Sequence, residues 1–236
     1  MKPTLILLPG LMCDAAAWAP QVTAFSDRTT CVVPDWGLLN AITAMAGHLL
    51  ATAPTAIFAL AGHSMGGRIA LEVMRLAPQR VERLALLDTG IHPFVAGEAG
   101  HKERAGRYAL RDLARTAGMR AMGAQWLRGM VHPLVLGTPL FELVLDMLER
   151  SSPAQFEAQI TALLGRPDAA PVLPTITCPT LVLTGRQDLW SPPEQHAAMA
   201  AAIPGAKLVI VEQCGHMATV EQPQAVNAAF SDWLDS

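Results

Sequence analysis

Six short apolar runs alternate with longer stretches of helical periodicity along this 236-residue chain. That alternation predicts an α/β fold: a doubly wound, mainly parallel sheet of about six strands with helices on both faces. A second observation refines it. From residue 91 to residue 177 no strand pattern appears, only helical periodicity punctuated by prolines, which predicts a helical cap or lid inserted into the sheet domain. The expected organisation is therefore a core in two parts, 1–90 and 178–236, around a lid at 91–177. The third observation is the pentapeptide Gly62-His63-Ser64-Met65-Gly66, a G-x-S-x-G placed between an apolar run and a helical one.

The elements follow in order. Residues 4–8 are wholly apolar but for Thr4 and end at Pro9-Gly10, a strand closed by a turn. Runs at 30–33, 56–61, 84–87, 180–183 and 207–211 are likewise too short for helices and read as buried strands. Helical stretches at 14–25, 41–53, 65–76, 193–203 and 223–234 lie between and after them. In the last, Val226, Phe230 and Trp233 form one apolar stripe. Ser191-Pro192-Pro193-Glu194 reads as a capping box opening the helix at 193. Within the interval 91–177, Met119, Met122, Trp126 and Met130 share one helical face, as do Phe156, Ile160 and Leu163.

Composition excludes several classes. Hydrophobic residues make up 51% and charged ones 16%, ample for a core and unlike a disordered chain. With 17 basic against 20 acidic residues the formal charge is −3, without the basic excess of a nucleic-acid binder. The mean hydropathy of +0.30 is high, yet no apolar run approaches the ~18 residues of a membrane span. Residues 4–8 are too short for a signal-peptide core, so the expected compartment is the cytoplasm. Cys13, Cys31, Cys178 and Cys214 contain no CxxC pair and read as reduced thiols. The seven histidines include no zinc-spaced cluster, so no metal site is expected. Oligomeric state is not legible.

The pentapeptide carries the chemistry. A serine at the tip of a sharp strand-to-helix turn sits in a strained backbone, and side chains at either flank would collide with strand or helix. Gly62 and Gly66 remove those collisions, and Gly67 lets the helix approach. The serine oxygen is then lifted beside a helix N-terminus.

With this elbow, and with two later segments, the chain resembles the α/β-hydrolase family over nearly its whole length. Leu181-Val182-Leu183-Thr184-Gly185-Arg186-Gln187-Asp188 is similar to the family's acid strand and loop. Val209-Ile210-Val211-Glu212-Gln213-Cys214-Gly215-His216 is similar to its last strand and histidine loop. The resemblance implies Ser64 as nucleophile, His216 as general base and then acid, and Asp188 as the group that orients the imidazole. Asp88, after the run 84–87, is the rival acid, since some relatives use that strand end. The resemblance further implies an oxyanion hole of the Met65 and Leu11 backbone N–H groups. Pro9 departs from the histidine that relatives commonly carry before the glycine. The antiparallel strand pair that usually precedes the first run is not seen.

What the resemblance implies is a cofactor-free serine hydrolase for a small-molecule ester of a small or medium apolar acid. C–C bond hydrolysis, lactone opening and acyl transfer can run on the same residues, and a ligand-binding protein that has lost catalysis is the alternative of another class. Met12, Trp126, Trp190 and Met217, with Trp18 and Met65, are candidates to line an apolar acyl pocket. His63 is expected to serve packing. Cys13 and Cys214, near catalytic positions, are expected to be inert.

Overall fold

The apolar runs become six strands because the inner ones are buried from both sides and can satisfy their backbone only in a ladder, while the half-exposed edge runs at 30–32 and 207–211 complete it. The computed structural model describes residues 2–236. The strands are β1 (Thr4–Leu8), β2 (Thr30–Val32), β3 (Phe58–His63), β4 (Val81–Leu87), β5 (Thr180–Gly185) and β6 (Lys207–Val211). They pair in the order β2-β1-β3-β4-β5-β6, every pair parallel. The core of the sheet, β1, β3 and β5, is buried at every position.

Helices close the crossovers. They are α1 (Ala19–Phe25), α2 (Ile42–Thr52), α3 (Met65–Leu76), α4 (Glu98–Ala117), α5 (Met119–Trp126), α6 (Pro139–Glu149), α7 (Pro153–Leu164), α8 (Pro193–Ala202), α9 (Ala218–Glu221) and α10 (Pro223–Leu234). The chain moves from β1 outward to β2, then returns past β1 to β3 and on to β6. With right-handed crossovers that reversal puts α1 and α10, which touch, on one face and α2, α3 and α8 on the other. It also leaves a crevice beyond the C-terminal ends of β1 and β3, the place where such sheets bind ligands. Between β4 and β5 the chain is helical and contains no strand, as its periodicity predicts.

Several boundaries differ from the expectations by a residue or two, and four elements do so for a visible reason. The third strand starts and ends two residues later than 56–61. Ile57 is 56% exposed at the sheet's lower edge, whereas Gly62 and His63 still pair with Leu86 and Leu87. The fourth begins at Val81 because Val81 and Arg83 also pair with β3. The stretch 14–25 divides into a 3₁₀ turn, Ala15–Trp18, and α1. Pro20 lacks the N–H needed to continue a helix and instead stands in the first turn of α1. Finally, Ser191 does not cap α8. Pro192 is the cap residue, so Glu194 falls at the second rather than the third helical position and cannot close the box. A capping box does form at α7, where Ser152 and Gln155 exchange bonds.

Candidate active site

Five of the six strands run into loops that converge on one cavity of about 380 Å³ at the sheet's C-terminal edge. Ser64 stands between β3 and α3 with φ of 54°, a conformation unfavourable for any residue with a Cβ. The surroundings enforce it. The Ser64 N–H donates to the Leu87 carbonyl at 2.9 Å, and its own carbonyl accepts from Thr89 Oγ1 at 2.6 Å. A Cβ on Gly66 would lie 2.2 Å from the Leu8 carbonyl oxygen, and one on Gly62 would lie 2.4 Å from that of Gly66. Both glycines are therefore obligatory for the turn. Gly67 faces the Thr89 side chain, so it accommodates that loop rather than the sheet.

Ser64 Oγ lies 2.8 Å from His216 Nε2, and His216 Nδ1 lies 2.8 Å from Asp188 Oδ2. Because the second partner is a carboxylate, Nδ1 carries the proton and Nε2 is free to accept from the serine hydroxyl. Asp188 is fixed in turn, its Oδ1 accepting from the Trp190 and Ser191 N–H groups at 2.9 Å. Burial alone would raise the Asp188 carboxyl. The charge and hydrogen bond of His216, with those two N–H groups, outweigh it and hold the carboxyl below the ordinary range. The His216 backbone is held at both ends: its N–H donates to the Met130 carbonyl at 2.6 Å, and its carbonyl accepts from His63 Nε2 at 2.7 Å.

Asp88 does not reach the His216 ring through a hydrogen bond. Its Oδ1 accepts from the Gly185 N–H and its Oδ2 from the Ala218 N–H, tying the ends of β4 and β5 to the histidine loop. Burial, then the nearby Asp188 charge, pushes its pKa well up. The Leu11 and Met65 N–H groups, at the ends of β1 and β3, have no hydrogen-bond partner among the described residues, and both residues line the cavity. A serine, an imidazole of fixed tautomer, a buried carboxylate and two free N–H groups at one crevice can carry out acyl transfer.

A family model described as the alpha/beta hydrolase family matches residues 5–229. The chain belongs to that family. Among relatives, RutD of Serratia proteamaculans, named provisionally as a carbamate hydrolase, is 26% identical over 263 residues, covering 99% of this chain and 91% of the relative. Among solved structures, a thermophilic esterase from Thermogutta terrifontis superposes with a TM-score of 0.88 at 27% identity, covering 99% of this chain and 91% of that one. An enol-lactonase from Burkholderia xenovorans LB400 gives 0.86 at 25% identity, covering 100% and 93%. These are hydrolases, and this chain is an α/β-hydrolase enzyme.

The pocket candidates divide. Trp126 and Trp190 line the cavity, their ring centroids 5.2 Å apart, and Trp190 in turn stands 5.1 Å from the His216 ring. Met12 does not line it. With φ of 62° it turns away, its N–H donating to Gln159 Oε1 at 2.8 Å. Met217 is fully buried beneath the histidine loop, and Trp18 packs on Phe230 in the core. Nor is the lining the apolar slot that was expected: Arg68, Arg107, Arg166 and Glu103 share it. No sequence signal marks them: Arg68 shares α3 with Glu72 and Arg75, and the other three lie far along the chain.

His63 does more than pack. Burial, then the charge of His216, lowers its pKa to about 4, so it is neutral, with its proton on Nε2 toward the carbonyl it serves. Glu221 was also missed; its carboxylate accepts from the N–H groups of His132, Gly215 and Met217 and clamps the histidine loop. Cys13 and Cys214 are buried and unbridged. Burial, with the Asp14 charge, pushes the Cys13 thiol up to about 12, and Cys214 is pushed up as well, so neither is a thiolate at neutral pH. No group of metal-ligating side chains occurs among the described residues, and no helix there is long and apolar enough to cross a membrane.

Proposed function

We propose that this enzyme is a serine hydrolase that cleaves carboxylic esters of small molecules through an acyl-enzyme on Ser64. In this reading Ser64 Oγ attacks the carbonyl carbon while His216 Nε2 takes its proton. The Leu11 and Met65 N–H groups receive the developing oxyanion, an arrangement worth roughly 10²–10³ in rate per donor. His216 then gives the proton to the leaving alkoxide, and a water activated by the same nitrogen releases the acid. Asp188 holds the tautomer and offsets the imidazolium charge. The helical segment between β4 and β5 serves as the roof, with Trp126 and Trp190 against the substrate.

The observation that carries this reading is the pair of 2.8 Å contacts, Ser64 to His216 and His216 to Asp188, at the mouth of the cavity. Lactones, which are internal esters, fall within the same chemistry, and the likeness to an enol-lactonase favours including them. The test is labelling with a fluorophosphonate followed by peptide mass analysis, beside turnover of an ester panel. The label is expected on Ser64, and Ser64→Ala should cut turnover by at least ~10³ with unchanged circular dichroism. Near-normal turnover in that variant would mean another nucleophile. Neither label nor turnover in the wild type would indicate a binding protein.

A further inference from the structure

The cavity wall beside Ser64 carries more positive charge than the protein neutralises. Three guanidinium groups, Arg68, Arg107 and Arg166, line it together with one carboxylate, Glu103. Glu103 is divided between two of them. It takes a two-pronged contact from Arg166, at 2.6 and 2.8 Å, and one from Arg107 Nε at 2.9 Å. Arg166 is otherwise satisfied by the His92 and Leu163 carbonyls. Arg68 is not. Its Nη1 donates to the His92 carbonyl at 2.9 Å, and its Nε and Nη2 donate to nothing among the described residues. The two terminal nitrogens of Arg107 are also without acceptors among the described residues.

Unpaired guanidiniums out of bulk water are costly unless something accepts their N–H groups. The effect is visible at Arg68: burial, then repulsion from Arg166 and Arg107, lowers its pKa to about 9 despite the pull of Glu103. Burial lowers Arg107 too. If the cluster served only to fasten the helical segment to the sheet domain, one arginine per carboxylate would suffice, as Arg166 and Glu103 already show.

Position says what the spare donors face. Arg68 follows Ser64 by one turn of α3, a rise of about 6 Å. Gly90 makes room for it, since a Cβ there would lie 2.7 Å from Arg68 Nη2. Arg107 comes from α4, four residues after Glu103. The Arg166–Glu103 contact shows in the same wall how a planar carboxylate meets a guanidinium fork.

We propose that Arg68 and Arg107 form an anion subsite for a substrate carboxylate, so that the ester cleaved at Ser64 carries a carboxylate a short distance from its scissile carbonyl. The subsite stands on the cavity's own geometry; its link to turnover rests on the serine-hydrolase reading above.

The test has a binding arm and a kinetic arm, both with the intact protein. In the first, calorimetry compares glutarate with its neutral diamide. Glutarate should bind, the diamide should not, and Arg68→Gln should weaken glutarate by about 10–100-fold, the worth of a lost charge-assisted hydrogen bond. In the second, kcat/KM is compared for monomethyl glutarate and the matching methyl ester whose far carboxylate is a primary amide. The charged ester should be preferred by about tenfold or more, mostly through KM. Arg68→Gln should abolish the preference and Arg68→Lys should retain part of it. Arg107→Gln serves as the second variant if Arg68→Gln fails to fold.

Equal turnover of the two esters, or glutarate affinity equal in wild type and variants, would overturn the proposal. Glutarate binding that depends on Arg68, in a protein that neither takes the fluorophosphonate nor cleaves either ester, would uphold the subsite and sink the hydrolase reading instead.

Discussion

The two walls of the cavity are built on different principles. The sheet-end wall places Ser64 and Asp188 through its own main chain: Leu87 holds the serine, and Trp190 and Ser191 hold the aspartate, while the His216 N–H is fixed by the carbonyl of Met130 from the helical segment. The helical wall, from α4 to the loop after α7, places Trp126, Arg107 and Arg166 through side-chain contacts, tilted rings packed on rings and guanidiniums on one carboxylate. Main-chain bonds at the strand ends cannot shift without breaking neighbours, whereas packed rings and ion pairs can slide. On the proposed function the reacting atoms belong to the stiff wall and the recognition of substrate to the adaptable one. The walls meet at the His216 loop, where Met130 and His132 of the helical segment bond to it and to Glu221.

The largest expected effect breaks the stiff wall at its acid. Asp188→Asn keeps the shape but places an amide where Nδ1–H needs an acceptor with charge, and should lower kcat by ~10⁴. Asp88→Asn leaves the ring contacts intact, and its loss of activity should stay within about tenfold. It should show instead as lower stability, because an amide cannot accept from both Gly185 and Ala218 as the carboxyl does. Steady-state kinetics with urea melts on both variants makes the check. The opposite ranking in kcat would move the acid to Asp88.

A smaller effect concerns the neutral histidine beneath the site. With an ordinary value of 6.5 in the unfolded chain and about 4 in the fold, His63 binds its proton first when unfolded. Its contribution is therefore intact above pH 6.5 and declines as pH falls from there toward 4, by on the order of 3 kcal/mol. Asp188 has a lowered carboxyl pKa, so its own contribution is lost only below the ordinary carboxylate range. The Asp188 window is thus separable, whereas Asp88, 3.8 Å from His63 Nε2 and with a raised pKa, acts in the His63 window with the opposite sign, so the His63 effect is read as the difference between wild type and variant. His63→Gln can still donate to the His216 carbonyl and should flatten the fall in urea midpoint between pH 6.5 and 4. An unchanged slope would mean that another group takes up the proton.

The stiff wall was legible in the sequence and the other was not. Gly62-His63-Ser64-Met65-Gly66 and the loops ending at Asp188 and His216 are local: each is a strand, a turn and one reactive residue, so a short string encodes each position. The parallel pairing of the strands is legible in the same way, from their alternation with helices. Arg107 stands on α4 and Arg166 in the loop just after α7, and they meet Arg68 only when α4 and α7 fold over the sheet; no spacing in the chain announces that. Met12 and Met217 show the converse error. Nearness in sequence to Leu11 and His216 suggested the pocket, but each follows its neighbour by one residue, and the turn there points it elsewhere.

The smallest expected effect tests the adaptable wall directly. Trp126 stands between Phe156 and Trp190, centroids 6.1 and 5.2 Å away, and Trp190 stands against the His216 ring. An aromatic pair of this kind is worth about 0.5–1.5 kcal/mol beyond the area it buries. Trp126→Ala removes two such pairs and enlarges the cavity, but it leaves Ser64, His216 and Asp188 with every main-chain bond that fixes them. Turnover of a minimal acetyl ester should change by less than about threefold, while the dependence of kcat/KM on acyl length should shift toward longer chains, since each added methylene is worth up to ~0.8 kcal/mol where there is room for it. Measuring kcat/KM over a homologous ester series in both proteins gives the comparison. A loss of equal size at every chain length, with kcat falling as much as kcat/KM, would place Trp126 in the support of His216 through Trp190, and the helical wall would then be as much a part of the stiff machinery as the sheet.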